Sequence, residues 1–190
     1  MKSTRRLLGW AMVLSVAAAA LAGSALAARP RVAVGWHDEL NKPRRWTAFP
    51  PPNAAEKRVP RRGVMRLRIP PAAAQDPAPP FYWATVHRVA EVDLDRYPIL
   101  AVRTTRLSGD TWWDFMVQEV QDGELVGPEY KTPSSREPGV LLYDLASETG
   151  LSGTRELRIR LNVARVTPGC WADYTYVRFL SRGEAASLAE

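Results

Sequence analysis

Between residues 157 and 163 the chain alternates strictly. Leu157, Ile159, Leu161 and Val163 interleave with Arg158, Arg160 and Asn162. Successive side chains of a β-strand point to opposite faces, so this run sends an aliphatic row into a core and a polar, arginine-bearing row toward solvent. The same period recurs. Met65, Leu67 and Ile69 alternate with Arg66 and Arg68; Leu100, Val102 and Thr104 with Ala101, Arg103 and Thr105; Trp113, Phe115 and Val117 with Asp114, Met116 and Gln118. Further strands are expected over Arg31–Trp36, Phe81–Val89, Val140–Leu145 and Trp171–Leu180. About eight or nine strands at this spacing predict an all-β fold, a β-sandwich or jelly roll.

Proline punctuates the rest. Pro50, Pro51 and Pro52, and the stretch holding Pro70, Pro71, Pro77, Pro79 and Pro80, read as extended loops. Asp95-Arg96-Tyr97-Pro98 reads as a tight turn into a strand. Leu145–Gly153 is expected to hold one helical turn, with Asp144 as its N-cap and Gly150 as its stop. Gly183–Glu190 reads as a frayed tail or the stub of a helix.

The amino terminus carries an address. Lys2, Arg5 and Arg6 form a positive region, Leu7–Leu21 is apolar and uncharged, and Ala25-Leu26-Ala27 is a small-x-small cleavage site. The expected organisation is a signal peptide over residues 1–27, one β-sandwich over 28–182 and a tail over 183–190. The expected location is periplasmic or extracellular, without stable membrane insertion. The leader's three cations account for half of the formal charge of +6. Export and the mild charge that remains argue against nucleic acid as a partner. Cys170 is the only cysteine, so no internal disulfide can form, and a buried thiol beside Trp171 is expected. The two histidines, His37 and His87, supply no zinc spacing. No cofactor is identifiable.

Catalytic motifs are sparse. No Gly-x-Ser-x-Gly elbow, His-Glu-x-x-His pair or phosphate-binding glycine loop is present. Glu91, Asp93 and Asp95 would share one face of a strand, with ends ~13 Å apart. Their spacing is similar to the Glu-x-Asp-x-Glu run of laminarinase-like glucanases, with Asp95 where that family has glutamate. The alternative is a solvated strand edge leading into the turn at Tyr97-Pro98.

The aromatic residues suit a binding role. Sugars present flat apolar faces on which indole and phenol rings stack. Trp112 falls on the outward row if Phe115 and Val117 face in, and Tyr174 and Tyr176 do so if Val177 and Phe179 face in. Arg66, Arg68, Arg158, Arg160 and Arg178 also fall on outward rows. If these strands are neighbours, Trp112, Tyr174, Tyr176, Arg158 and Arg160 form a ligand-binding face for neutral or anionic glycans, since guanidinium offers a fork to carboxylate or sulfate. Trp36, Trp46 and Trp83 are expected in the core, and His87 as a hydrogen-bonded structural residue.

Several stretches in order carry a family likeness. They are Trp36-His37-Asp38-Glu39-Leu40 with Arg45-Trp46, then Val92–Leu100, then Tyr143-Asp144-Leu145 with Thr149–Gly153, then Tyr174–Phe179. Together they resemble the galactose-binding-like jelly-roll domains found as carbohydrate-binding modules of secreted bacterial proteins. The resemblance implies a jelly-roll sandwich that binds carbohydrate at loops or on a sheet face, and it brings in the structural calcium that many members carry. No sugar-binding or calcium motif of the family is matched residue by residue. The leading expectation is a secreted, non-catalytic module for a glycan or polysaccharide. The alternatives are an exported structural domain that docks a protein partner, and a small glycan-cleaving enzyme using Glu91–Asp95.

Overall fold

A computed structural model describes residues 35–50, 53–71, 82–165 and 167–188. The signal peptide, most of the strand expected over Arg31–Trp36, and most of the second proline-rich stretch lie outside the described residues. The strands are β1 (His37–Asp38), β2 (Thr47–Ala48), β3 (Glu56–Arg61), β4 (Val64–Arg68), β5 (Tyr82–Asp93), β6 (Ile99–Leu107), β7 (Trp112–Gln121), β8 (Glu124–Lys131), β9 (Gly139–Asp144), β10 (Thr154–Arg165) and β11 (Trp171–Leu180). Two short helices, α1 (Leu145–Thr149) and α2 (Arg182–Ala186), and a 3-10 turn at Pro43–Arg45 complete the described elements.

The strands form two sheets, ordered β3-β4-β11-β6-β9 and β2-β5-β10-β7-β8, with β1 also paired to β11. Every ladder between them is antiparallel. The architecture is an all-β sandwich. Its core explains the alternation: Leu157, Ile159, Leu161 and Val163 of β10 and Trp113, Phe115 and Val117 of β7 join Met65, Leu67, Leu100, Val102, Val177 and Phe179 of the facing sheet in one buried cluster. Removing these side chains from water is the main favourable term for such a fold.

The expected α1 is present with its caps. The Asp144 carboxylate accepts from the Ser147 N–H at 3.1 Å, and Gly150 closes the helix in the left-handed region at φ 72°. The expected C-terminal stub is α2, opened by a capping box between Ser181 and Glu184.

Four readings are corrected. Eleven strands are described, more than the eight or nine expected, because β1, β2, β3 and β8 carry no clean apolar alternation. Tyr174 does not face out. The register of β11 shifts between Asp173 and Tyr176, and this irregularity flips the row: Ala172 and Tyr174 point into the core before it, Val177 and Phe179 after it. Tyr174 is fully buried, edge-on to Trp113 at 5.8 Å, and its hydroxyl donates to the Asn162 carbonyl at 2.5 Å. Burial, with Asp114 nearby, raises its pKa well above the ordinary tyrosine value. Tyr176 lies on the opposite face from Val177, but it is buried with Ile99, Ala101, Leu180 and Ala185 of α2. Finally, Glu91, Asp93 and Asp95 do not share a strand face, because β5 ends at Asp93. Asp93 Oδ1 accepts from the Asp95 N–H at 3.1 Å, and Asp95 Oδ1 accepts from the Gly153 N–H at 2.9 Å. These two carboxylates hold a turn together.

A second polar centre lies where β1 meets the core. Asp38 Oδ1 accepts from the Leu40 N–H at 2.7 Å, while Oδ2 accepts from the Trp46 indole at 3.1 Å and from the Arg88 guanidinium. The first of these bonds holds Leu40 at φ 55°, an uncommon conformation for a residue with a side chain. Trp46 is fully buried, as expected, whereas Trp36 is only partly so.

Candidate functional site

The outer face of the β2-β5-β10-β7-β8 sheet carries a groove of about 340 Å³, lined by Trp83, Trp112, Asp114, Met116, Lys131, Arg160, Asn162 and Ala164. Register explains why it exists. Ala164 of β10 stands opposite Trp83 of β5 on one side and Trp112 of β7 on the other. A methyl group between two indoles leaves an opening walled by aromatic rings. Strands flanking a third are about 10 Å apart. Stacked rings prefer centroids roughly 4.5–7 Å apart, so that spacing admits one flat ring between the indoles.

Both walls are braced. Phe49 meets Trp83 edge-on at 6.4 Å, and the Arg136 guanidinium lies 5.5 Å from the Trp112 ring. The next row forms a polar floor across the same three strands. Thr85 Oγ1 donates to Asn162 Oδ1 at 2.6 Å, and Asn162 Nδ2 donates to Asp114 Oδ1 at 2.6 Å. Asp114 Oδ2 accepts from Ser134 Oγ at 2.7 Å and from the Lys131 ammonium at 3.1 Å. Thr85, Asn162 and Asp114 are all buried, and the ladder satisfies them mutually, as buried polar groups require. Lys131 is half-exposed at the rim.

The following row is cationic. Arg160 and His87 are paired across β10 and β5. Arg160 stacks on Phe49 at 4.5 Å and pairs with Glu129 of β8, which Arg158 also approaches at 3.6 Å. His87 sits edge-on to Phe49 at 5.5 Å, and its Nδ1 is buried without a hydrogen-bond partner, contrary to the hydrogen-bonded role expected for it. Burial first, then the charges of Arg158, Arg160 and Lys57, hold its pKa below the ordinary 6.5. The sign of the linkage follows. Above about pH 6.5 both folded and unfolded chains carry a neutral imidazole; below it the unfolded chain takes up a proton that the folded one resists. Stability from this residue is therefore present at neutral pH and lost as pH falls from 6.5 toward the lowered value. Thermal melts at pH 7.5 and 5.5 should show a larger loss for the wild type than for His87→Gln; equal losses would remove His87 as the cause.

Of the five residues expected to bind ligand, the structure brings together Trp112 and Arg160 in the groove, with Arg158 one row beyond. Tyr174 and Tyr176 belong to the other sheet and are buried. Arg66, Arg68 and Arg178, also in that sheet, each lie within ion-pair distance of an acid: Asp173, Glu56 and Glu39 respectively. Trp83 was expected in the core and lies instead on the groove wall. Sequence reasoning also missed Asp114, Lys131 and Ala164. The signal for Ala164 was present, since it extends the outward row Arg158, Arg160, Asn162 by one step. Among the described residues, no cluster of three or more His, Cys, Asp or Glu side chains could hold a metal ion, so the calcium implied by the family resemblance finds no carboxylate cluster here. Nor is any helix among them long and apolar enough to cross a membrane.

No protein-family model matches the chain, and a search of curated proteins finds no significant match.

Proposed function

We propose that this chain is an exported, non-catalytic carbohydrate-binding module of the galactose-binding-like, jelly-roll kind, and that its ligand is a glycan held in the Trp83–Trp112 groove. One observation carries this reading: two indoles stand on either side of Ala164 above a floor of hydrogen-bonding groups. Indole faces take the apolar face of a pyranose, and the polar rim orients its hydroxyls. Arg160 and Lys131 extend the range to sugars bearing carboxylate or sulfate. Because the walls are braced and the floor is bonded internally, little ordering entropy is lost on binding.

Titration calorimetry against a panel of neutral and acidic oligosaccharides tests the proposal. Trp112→Ala and Trp83→Ala should each weaken binding about thirtyfold, the ~2 kcal/mol typical of a buried aromatic anchor. Ala164→Leu should abolish binding by filling the groove, with the circular dichroism spectrum unchanged. If no glycan on a broad panel binds, or if Ala164→Leu binds as well as wild type, the groove is not a sugar site.

A further inference from the structure

We propose that the end of the domain formed by the β3–β4 hairpin and the Pro43–Arg45 turn is a second docking surface, separate from the groove, for an acidic polysaccharide. Lys42, Arg44 and Arg45 are exposed at the turn, and Arg58, Arg61 and Arg62 on the hairpin. Two contacts join these segments: the Gly63 N–H donates to Asn41 Oδ1 at 2.6 Å, and the Lys57 ammonium donates to the Trp46 carbonyl. Trp46 is wholly buried, so the turn is anchored and its cations stand on fixed backbone.

Most of the charge here is not ion-paired. Only Arg58 is, to Glu56 at 3.5 Å, a carboxylate that Arg68 also approaches at 3.6 Å, while Lys42 and Arg45 share a shallow pocket with Asp38 and Glu39. The other five form no ion pair among the described residues. Residues 28–190 carry just three more cations than anions, so the six gathered here leave the remainder net acidic. Positive charge is concentrated at this end, and a concentrated field of one sign attracts a polymer of the other.

Edge protection explains part of the pattern. β3 is an edge strand, and Pro60 with its basic neighbours blocks pairing with another sheet. That account does not reach Lys42, Arg44 and Arg45, which stand outside the strand. The partner's chemistry follows from the residue types. Five of the six are arginine, whose planar fork matches carboxylate and sulfate. Val59, 42% exposed, is the one large apolar side chain offered among them, too little to insert into a lipid interface. Neither residues 42–45 nor residues 58–62 include an aromatic ring for nucleobases to stack on.

The test is affinity for heparin and for a polyuronate, measured by calorimetry at several salt concentrations in an Ala164→Leu parent, whose groove is filled. Arg44→Ser/Arg45→Ser and Arg61→Ser/Arg62→Ser should each weaken binding about tenfold at low salt and flatten its salt dependence, and the quadruple variant should lose it. Melting temperatures should not change, because the side chains are exposed. The proposal is overturned if the groove-filled parent fails to bind either polymer, or if the quadruple variant made in it still binds. It is also overturned if an oligonucleotide or vesicles containing phosphatidylglycerol bind as tightly as the polysaccharides. With the groove filled, none of these outcomes depends on it.

Discussion

Trp113→Ala lowers the stability of the domain by about 3–5 kcal/mol, the range for emptying a buried aromatic site. The adjacent Trp112→Ala costs about 1 kcal/mol. The two tryptophans are consecutive in β7 and so point to opposite faces. Trp113 is almost wholly buried, meets Tyr174 edge-on and donates its indole N–H to the Glu137 carbonyl at 2.9 Å. Alanine there leaves a cavity, while the Glu137 carbonyl keeps the bond it accepts from Ser135 Oγ at 3.0 Å. Trp112 is only partly buried and rests against solvent and Arg136. For a domain of this size the first change lowers Tm by roughly 10 °C. Urea titrations of both variants check the contrast; comparable losses would mean that the inward and outward rows of β7 are misassigned. Under the proposed function the same pair separates stability from binding, since of the two only Trp112 lines the groove.

Asp38→Ala is expected to cost a similar amount, about 3–5 kcal/mol. Its carboxylate serves three donors at once, and all three lose their acceptor together. Arg88 is the most expensive orphan. It occupies an inward position of β5, opposite Ile159, where a lone guanidinium has little water to turn to. The Trp46 indole becomes an unsatisfied buried donor, and Leu40 loses the bond that holds its positive φ. Asp38→Asn keeps an acceptor but removes the charge opposite Arg88, so it should fall between wild type and alanine. The double variant Asp38→Ala/Arg88→Met should recover part of the loss, because the stranded cation is gone. A double variant no better than Asp38→Ala would place the cost in Trp46 and Leu40 instead.

The legible and illegible parts of this chain differ in physical kind. β10 could be read because its inner row is wholly aliphatic and its outer row wholly polar, so only one phase fits a half-buried strand. α1 could be read because Asp144 and Gly150 act locally, through bonds within a few residues. β11 could not be phased. Tyr174, Tyr176, Val177 and Phe179 all tolerate burial, so the composition hides a shift that only the partners β4 and β6 impose. Trp83 was misplaced for a related reason. Next to Trp83 the inner row of β5 holds the smaller Ala84 and Val86, and the larger side chain looked like the core residue. β3 and β8 were missed because edge strands are stabilised by one neighbour and guarded by charge and proline, the features that elsewhere signal a loop. The groove depended on all of these at once. Trp112 and Arg160 could be named singly, but that Trp83 and Ala164 stand beside them is a fact of strand order.

Tyr174 gives the groove a property its own residues cannot. Layers that meet only through aliphatic side chains are held by close packing, with no directional bond between them. The phenol oxygen of Tyr174 instead reaches from β11 to the main chain of Asn162, whose amide is the middle rung of the groove floor. That directional tether fixes the lateral offset of one layer against the other. The polar rung beside the two indoles is thus tied to the facing sheet, and any slippage of the sandwich would be felt first at that rung.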